Sequence, residues 1–235
     1  MKKLLSGILL MTITLAALCA GDVATFVDKG FSEDGKYYIF GQYGRTDKKY
    51  QGWAEIYQVD ISKNDYVDGG VFRTKPSAVT SDKNGIQVYE ALEAKSYYYF
   101  KNIKTKKADA DHVLYVCDDV NKTGSDKIVF KDFRAEDVEN ADSYSIQLVS
   151  TVINSGKNVK SSFYILVEKK DKDGNVITSK KVGSPDIVRK GICDYKIERI
   201  MCDESEQKFI FIVEKILEDE TGISIRYMVE AAEID

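Results

Sequence analysis

The sequence predicts a mainly β protein of antiparallel meanders, propeller-like or a β-sandwich, with one central helix. Three observations carry this expectation. Short runs rich in aromatic and β-branched residues recur along the chain and suit a pleated, half-buried surface. Polar segments containing glycine separate many of these runs, as hairpin reversals require. One stretch alone, 81–103, places apolar residues at helical spacing without a proline. The composition permits a core: 235 residues are 43% hydrophobic and 31% charged with only two prolines, which excludes wholesale disorder and Pro-rich arrays.

In chain order, Met1-Lys2-Lys3 precedes an apolar stretch from Leu4 to Leu18 and a small-residue exit, Cys19-Ala20-Gly21. This tripartite form is that of a secretory signal, and the run is shorter than the ~20 residues that span a bilayer. The expected organisation is a signal peptide over 1–20 and one β-rich domain over 21–235, with a possible sub-boundary near 105. Lipidation at Cys19 is the alternative, although bulky Leu18 departs from the lipoprotein pattern; an uncleaved anchor is another. Removing 1–20 takes away Lys2 and Lys3, so 32 basic and 38 acidic residues remain, a net charge of −6. A well-mixed acidic surface gives no general attraction for nucleic acid. No later segment is apolar enough to span a membrane, and the expected location is periplasmic or secreted.

The first strands expected are Gly35 to Phe40, entered from the polar turn Ser32-Glu33-Asp34-Gly35, then Trp53 to Val59 and Tyr66 to Arg73. Gly69-Gly70 marks a turn or bulge in the third. The helix follows. Tyr89, Leu92, Ser96, Tyr99 and Ile103 share one face, and Ser81 or Asp82 is placed to cap its start. The Tyr97 to Phe100 run fits either a helix or a strand. Beyond residue 109 the β texture returns with His112 to Cys117, Lys127 to Phe133, Ser143 to Ile153, Ser161 to Lys169, Asn175 to Val182, Tyr195 to Met201, Phe209 to Lys215 and Ile223 to Ala231. An echo links the two ends: Ser32-Glu33-Asp34-Gly35-Lys36-Tyr37 and Asp203-Glu204-Ser205-Glu206-Gln207-Lys208 both lead an acidic turn into an apolar strand.

Two resemblances attach to these residues. Phe31 to Phe40, followed by Glu55 to Asp60, resembles the blade repeat of TolB-type β-propellers, with Glu33 where proline is usual. Gly21-Asp22-Val23-Ala24, Gly30 to Tyr37, Ala54 to Asp60, the middle helix and Arg226 to Val229 together resemble a bacterial family of predicted secreted proteins of unknown function. The resemblance implies export and a propeller-like β architecture, and it transfers no catalytic residue. The roughly 214 residues after the signal supply at most five small blades, so a sandwich of the same meanders is the rival architecture.

Little in the sequence points to a reaction. One histidine, His112, excludes sites built from several imidazoles. No P-loop, GxGxxG, GxSxG or CxxC occurs. Asp171-Lys172-Asp173-Gly174-Asn175 resembles the start of a calcium loop but has Val182 where the distal glutamate belongs, and a hairpin turn explains it. Cys117, Cys193 and Cys202 are an odd set after processing and are expected to be buried thiols. No cofactor and no metal are expected. The expected function is a non-enzymatic envelope binding protein whose partner is another envelope protein or a small ligand. A carboxylate-based hydrolase and a surface lipoprotein are the alternatives. Aromatic and basic residues around a glycine-containing loop suit a contact surface, which singles out Tyr43, Arg45, Tyr50 and Trp53 as binding residues.

Overall fold

The computed structural model describes residues 22–46, 50–118, 123–132, 135, 137–219 and 222–234. Residues 1–20, expected as a signal peptide with Cys19 as the alternative lipid site, lie outside them, as does Phe133 at the end of one expected strand. The first sheet contains β1 (Thr25–Ser32), β2 (Tyr37–Arg45), β3 (Gly52–Asp60), β4 (Asp65–Thr74) and β5 (Thr105–Lys106), in the order β4-β3-β2-β1-β5. Helix α1 (Gly85–Phe100) follows β4. The middle sheet has the order β13-β12-β11-β6, from β6 (Val113–Val116), β11 (Asp194–Cys202), β12 (Lys208–Asp219) and β13 (Gly222–Glu233). The third sheet is the meander β10-β9-β8-β7, from β7 (Ile128–Lys131), β8 (Ser143–Ile153), β9 (Lys160–Lys170) and β10 (Val176–Lys190). All strand pairs in these sheets are antiparallel.

The pattern along β12 explains the layering. Phe209, Phe211 and Val213 join one core with Ile146, Leu148, Phe163 and Ile165 of the third sheet. Ile210 and Ile212 join a second core with Tyr38, Phe40, Tyr57 and Val59 of the first sheet. Successive side chains of a strand point to opposite faces. An unbroken apolar run therefore marks a sheet covered on both sides, as it does here. A third core seats Val88, Tyr89 and Leu92 of α1 on Ile39, Ala54 and Ile56. The order is thus helix, sheet, sheet, sheet. The layers form a sandwich-like stack and do not close into a propeller, so the TolB-like segment contributes one turn and strands of a five-stranded sheet.

Several element details differ from the sequence reading, each for a local reason. The cap of α1 is Asn84, not Ser81 or Asp82: its side chain accepts from the Gln87 amide at 2.9 Å, and Gln87 reciprocates on the Asn84 amide at 3.0 Å. Tyr97 to Phe100 complete the helix. Strand β1 went unforeseen because it lacks a continuous apolar run. Strand β10 runs through Pro185, which its edge position tolerates, and regular pairing with β9 lapses between Ser184 and Arg189. Asp171 closes a hairpin turn by accepting from the amides of Asp173 and Asn175 at 2.9 and 2.8 Å. Cys202 is buried, whereas Cys117 and Cys193 are only partly so, and none of the three forms a disulfide among the described residues.

The echo between the chain ends is structural. In the β1–β2 turn, Ser32 Oγ accepts from the Tyr37 amide, the Gly35 amide bonds to the Ser32 carbonyl, and Gly35 has φ +64°. In the β11–β12 turn, Asp203 Oδ1 accepts from the Lys208 amide, the Glu206 amide bonds to the Asp203 carbonyl, and Glu206 has φ +60°. The two turns adjoin one small cavity with His112 and Lys106.

Candidate functional site

Strands β4, β10 and β13 each lie at one edge of their sheet. They converge on a cavity of about 640 Å³, whose lining includes Tyr66 and Arg73 of β4, Gly183 and Arg189 of β10, Lys215 of β12 and Glu230 of β13. The three-layer stack positions this site: three open edges meet where no fourth strand covers them.

The upper wall is built by Asn64. It adopts φ +51° in the turn between β3 and β4, a conformation asparagine tolerates well. From there its amide nitrogen donates to Glu230 Oε2 at 2.5 Å, and its oxygen accepts from the Ala231 amide at 2.6 Å. Asn64 thereby satisfies part of the free edge of β13. Burial pushes the Glu230 carboxyl up, while the Asn64 hydrogen bond and the Arg189 guanidinium, 3.5 Å away, pull it down. Gly183 takes φ +79° beside this carboxylate, and a Cβ there would approach it to 3.3 Å.

Lys63, Arg73, Lys180, Lys181, Arg189 and Lys215 line the cavity, and Arg226 stands opposite Lys215 on β13. Arg189 pairs with Glu230 and lies 4.9 Å from the Phe163 ring centre. Arg73 pairs with Glu55 at 3.3 Å; Glu55 also accepts from Gln42 and from the Tyr57 hydroxyl. Arg226 pairs with Asp22 at 2.5 Å. Lys215 has no ion pair or hydrogen bond among the described residues. Its position continues the face of β12 formed by Phe209, Phe211 and Val213, so burial strips water from the ammonium. Burial is the main cause that lowers its pKa from 10.5 to about 8; Arg189, Arg226 and Arg73 lower it further, and Glu55 opposes them. Burial also raises the Tyr66 hydroxyl well above the ordinary tyrosine range.

The loop singled out from the sequence divides into three environments. Arg45 and Tyr50 stay together at the surface: Arg45 Nε donates to the Tyr50 carbonyl at 2.8 Å, and the guanidinium lies 5.6 Å from the Tyr50 ring centre. Tyr50 is 65% exposed and holds φ +49°. Tyr43 is half-buried against Tyr89 of α1. Trp53 is 5% exposed; its indole donates to Asp22 Oδ2 at 2.8 Å and carries Arg226 at 4.1 Å over the ring. His112 ends a short turn beside the smaller cavity, far in character from a triad, and no cluster of three metal-ligating side chains occurs among the described residues.

Sequence reasoning missed Asn64, Arg73, Arg189, Lys215 and Glu230. The available signal was weak: Glu214-Lys215 interrupts the apolar run of a strand otherwise buried on both faces.

The DUF2259 family of predicted secreted proteins matches residues 39–233, and the chain belongs to that family. No curated protein and no solved structure matches the chain. Among the described residues no helix is long and apolar enough to cross a membrane.

Proposed function

From the chain's membership of a secreted family, we propose that it is an exported, non-enzymatic binding protein of the bacterial envelope, and that the cavity at the three sheet edges holds a small anionic ligand. The observation that carries this reading is the missing counter-ion of Lys215. Three neighbouring arginines each contact a carboxylate, and Lys215 contacts none among the described residues. Partial removal of an unpaired cation from water is unfavourable, so the site either releases a proton or accepts an anion. A carboxylate or phosphate entering the cavity supplies the absent charge, and the flanking guanidinium groups add attraction.

Calorimetric titration of the mature protein with inorganic phosphate and with acetate near neutral pH tests the reading. Saturable heat with either anion, weakened at least ~10-fold in Lys215→Met, supports it. Equal affinity in the variant, or no heat with either anion, defeats it. A carboxylate-based hydrolase fits less well, because the Glu230 carboxylate is engaged by Asn64 and Arg189. A protein contact at the Arg45–Tyr50 surface is a second reading, favoured by the exposure of Tyr50. Pull-down from an envelope extract tests it: loss of a stoichiometric partner on Tyr50→Ala supports that contact, and retention removes it. Mass spectrometry of the purified amino terminus distinguishes release after signal cleavage from lipid attachment at Cys19.

A further inference from the structure

We propose that Lys215 is a covalent capture residue, whose amine condenses with the carbonyl carbon of an anionic aldehyde or ketone bound in the cavity. The inference rests on the anion-site reading and deepens it by naming the ligand class. Its geometric basis is the combination of a lysine lining a cavity, no carboxylate to hold its proton, and three guanidinium groups already committed to their own acids. Burial and adjacent cations are the two circumstances that make a lysine amine nucleophilic at ordinary pH. Both act on Lys215.

The charged groups that act on Lys215 are Glu55 from β3, Arg73 from β4, Arg189 from β10 and Arg226 from β13, and Tyr195 of β11 stands opposite it in the ladder. The same arginines that disfavour the ammonium favour the ligand's negative group, so one field prepares both reactants. In the step itself the Nζ lone pair attacks the carbonyl carbon, and the carbonyl π pair moves onto oxygen. One amine proton transfers to that oxygen to give the carbinolamine. Loss of the hydroxyl with the second amine proton releases one water and leaves the carbon–nitrogen double bond. No oxidant or reductant is needed, and hydrolysis reverses the step. Once protonated, the imine carries the positive charge that the ligand's anion then neutralises.

The test uses pyridoxal phosphate, an anionic aldehyde, with the mature protein near pH 8. The imine is followed by absorbance, fixed with borohydride and located by peptide mass spectrometry. The expected result is one dominant adduct at Lys215, formed at least ~10-fold faster than at any other lysine and slowed by inorganic phosphate. Lys215→Arg should abolish that adduct, because a guanidinium does not condense with the aldehyde. Adducts spread over surface lysines with Lys215 unmodified overturn covalent capture. If phosphate still binds in that case, the non-covalent anion site survives alone; if phosphate neither binds nor protects, both readings fall.

Discussion

Two paired cations of β13 and β12, Arg226 and Lys215, are solved in opposite ways. Arg226 is closed in by Trp53 and Asp22, and Asp22 Oδ2 meets both the guanidinium and the indole N–H. The amino-terminal segment is strapped there as well, with the Ala24 amide on the Ile225 carbonyl and the Ile225 amide on the Asp22 carbonyl, both at 3.0 Å. Directly across the β12–β13 ladder, Lys215 lines the cavity with no contacting carboxylate among the described residues. The first cluster is complete within the chain and serves stability. The second is complete only with a proton lost or an anion gained. Satisfied buried charge indicates architecture, and unsatisfied buried charge indicates a site.

The contrast breaks most severely at Trp53. Trp53→Ala empties a buried position and uncovers Arg226, and should lower unfolding free energy by about 3–5 kcal/mol in urea titration. A loss below ~1 kcal/mol would place Trp53 outside the stabilising cluster. Asp22→Ala should cost about 3 kcal/mol, because it leaves a guanidinium and an indole N–H without partners. Lys215→Met should move the other way, raising the stability of the ligand-free protein by about 1–2 kcal/mol near neutral pH.

The pH dependence sharpens the same point. Lys215 has a lower pKa folded than unfolded, so between about pH 8 and 10.5 the unfolded chain binds more protons. Its contribution therefore makes the folded state more stable as pH rises through that window, and the penalty is constant below it. Denaturation midpoints of the unsubstituted protein should climb relative to Lys215→Met across this range; parallel curves would show that Lys215 is not desolvated. Anion affinity should fall over the same rise in pH, as the ammonium is lost. The smallest effect belongs to the surface pair: Tyr50→Ala should change stability by no more than about 0.5 kcal/mol, measured in the same urea titration.

Much of the fold was legible from residue order. The meander Ser143 to Val182 and the closing hairpin announce themselves by apolar runs and glycine-bearing turns, and the paired turns at Ser32 and Asp203 share a visible acidic pattern. The helix was legible from its spacing, though its cap was not, because three neighbouring polar residues compete for one role. Strand β1 was hidden by Asp28 and Lys29, which interrupt its apolar character. The candidate site was hidden more thoroughly. Trp53, conspicuous as a lone tryptophan, is drawn inward by an aspartate 31 residues away. Lys215 looks like any lysine near a strand end.

Local order thus determined most of the extended segments, their reversals and the long helix, since each depends on neighbours within a few residues. The tertiary structure alone decided that three sheets stack, that three of their edges meet, and that Lys215 lines the cavity there with no contacting carboxylate among the described residues. Charge pairing depends on which distant strands come together and on how much water they exclude, and neither quantity is written in the spacing of adjacent residues.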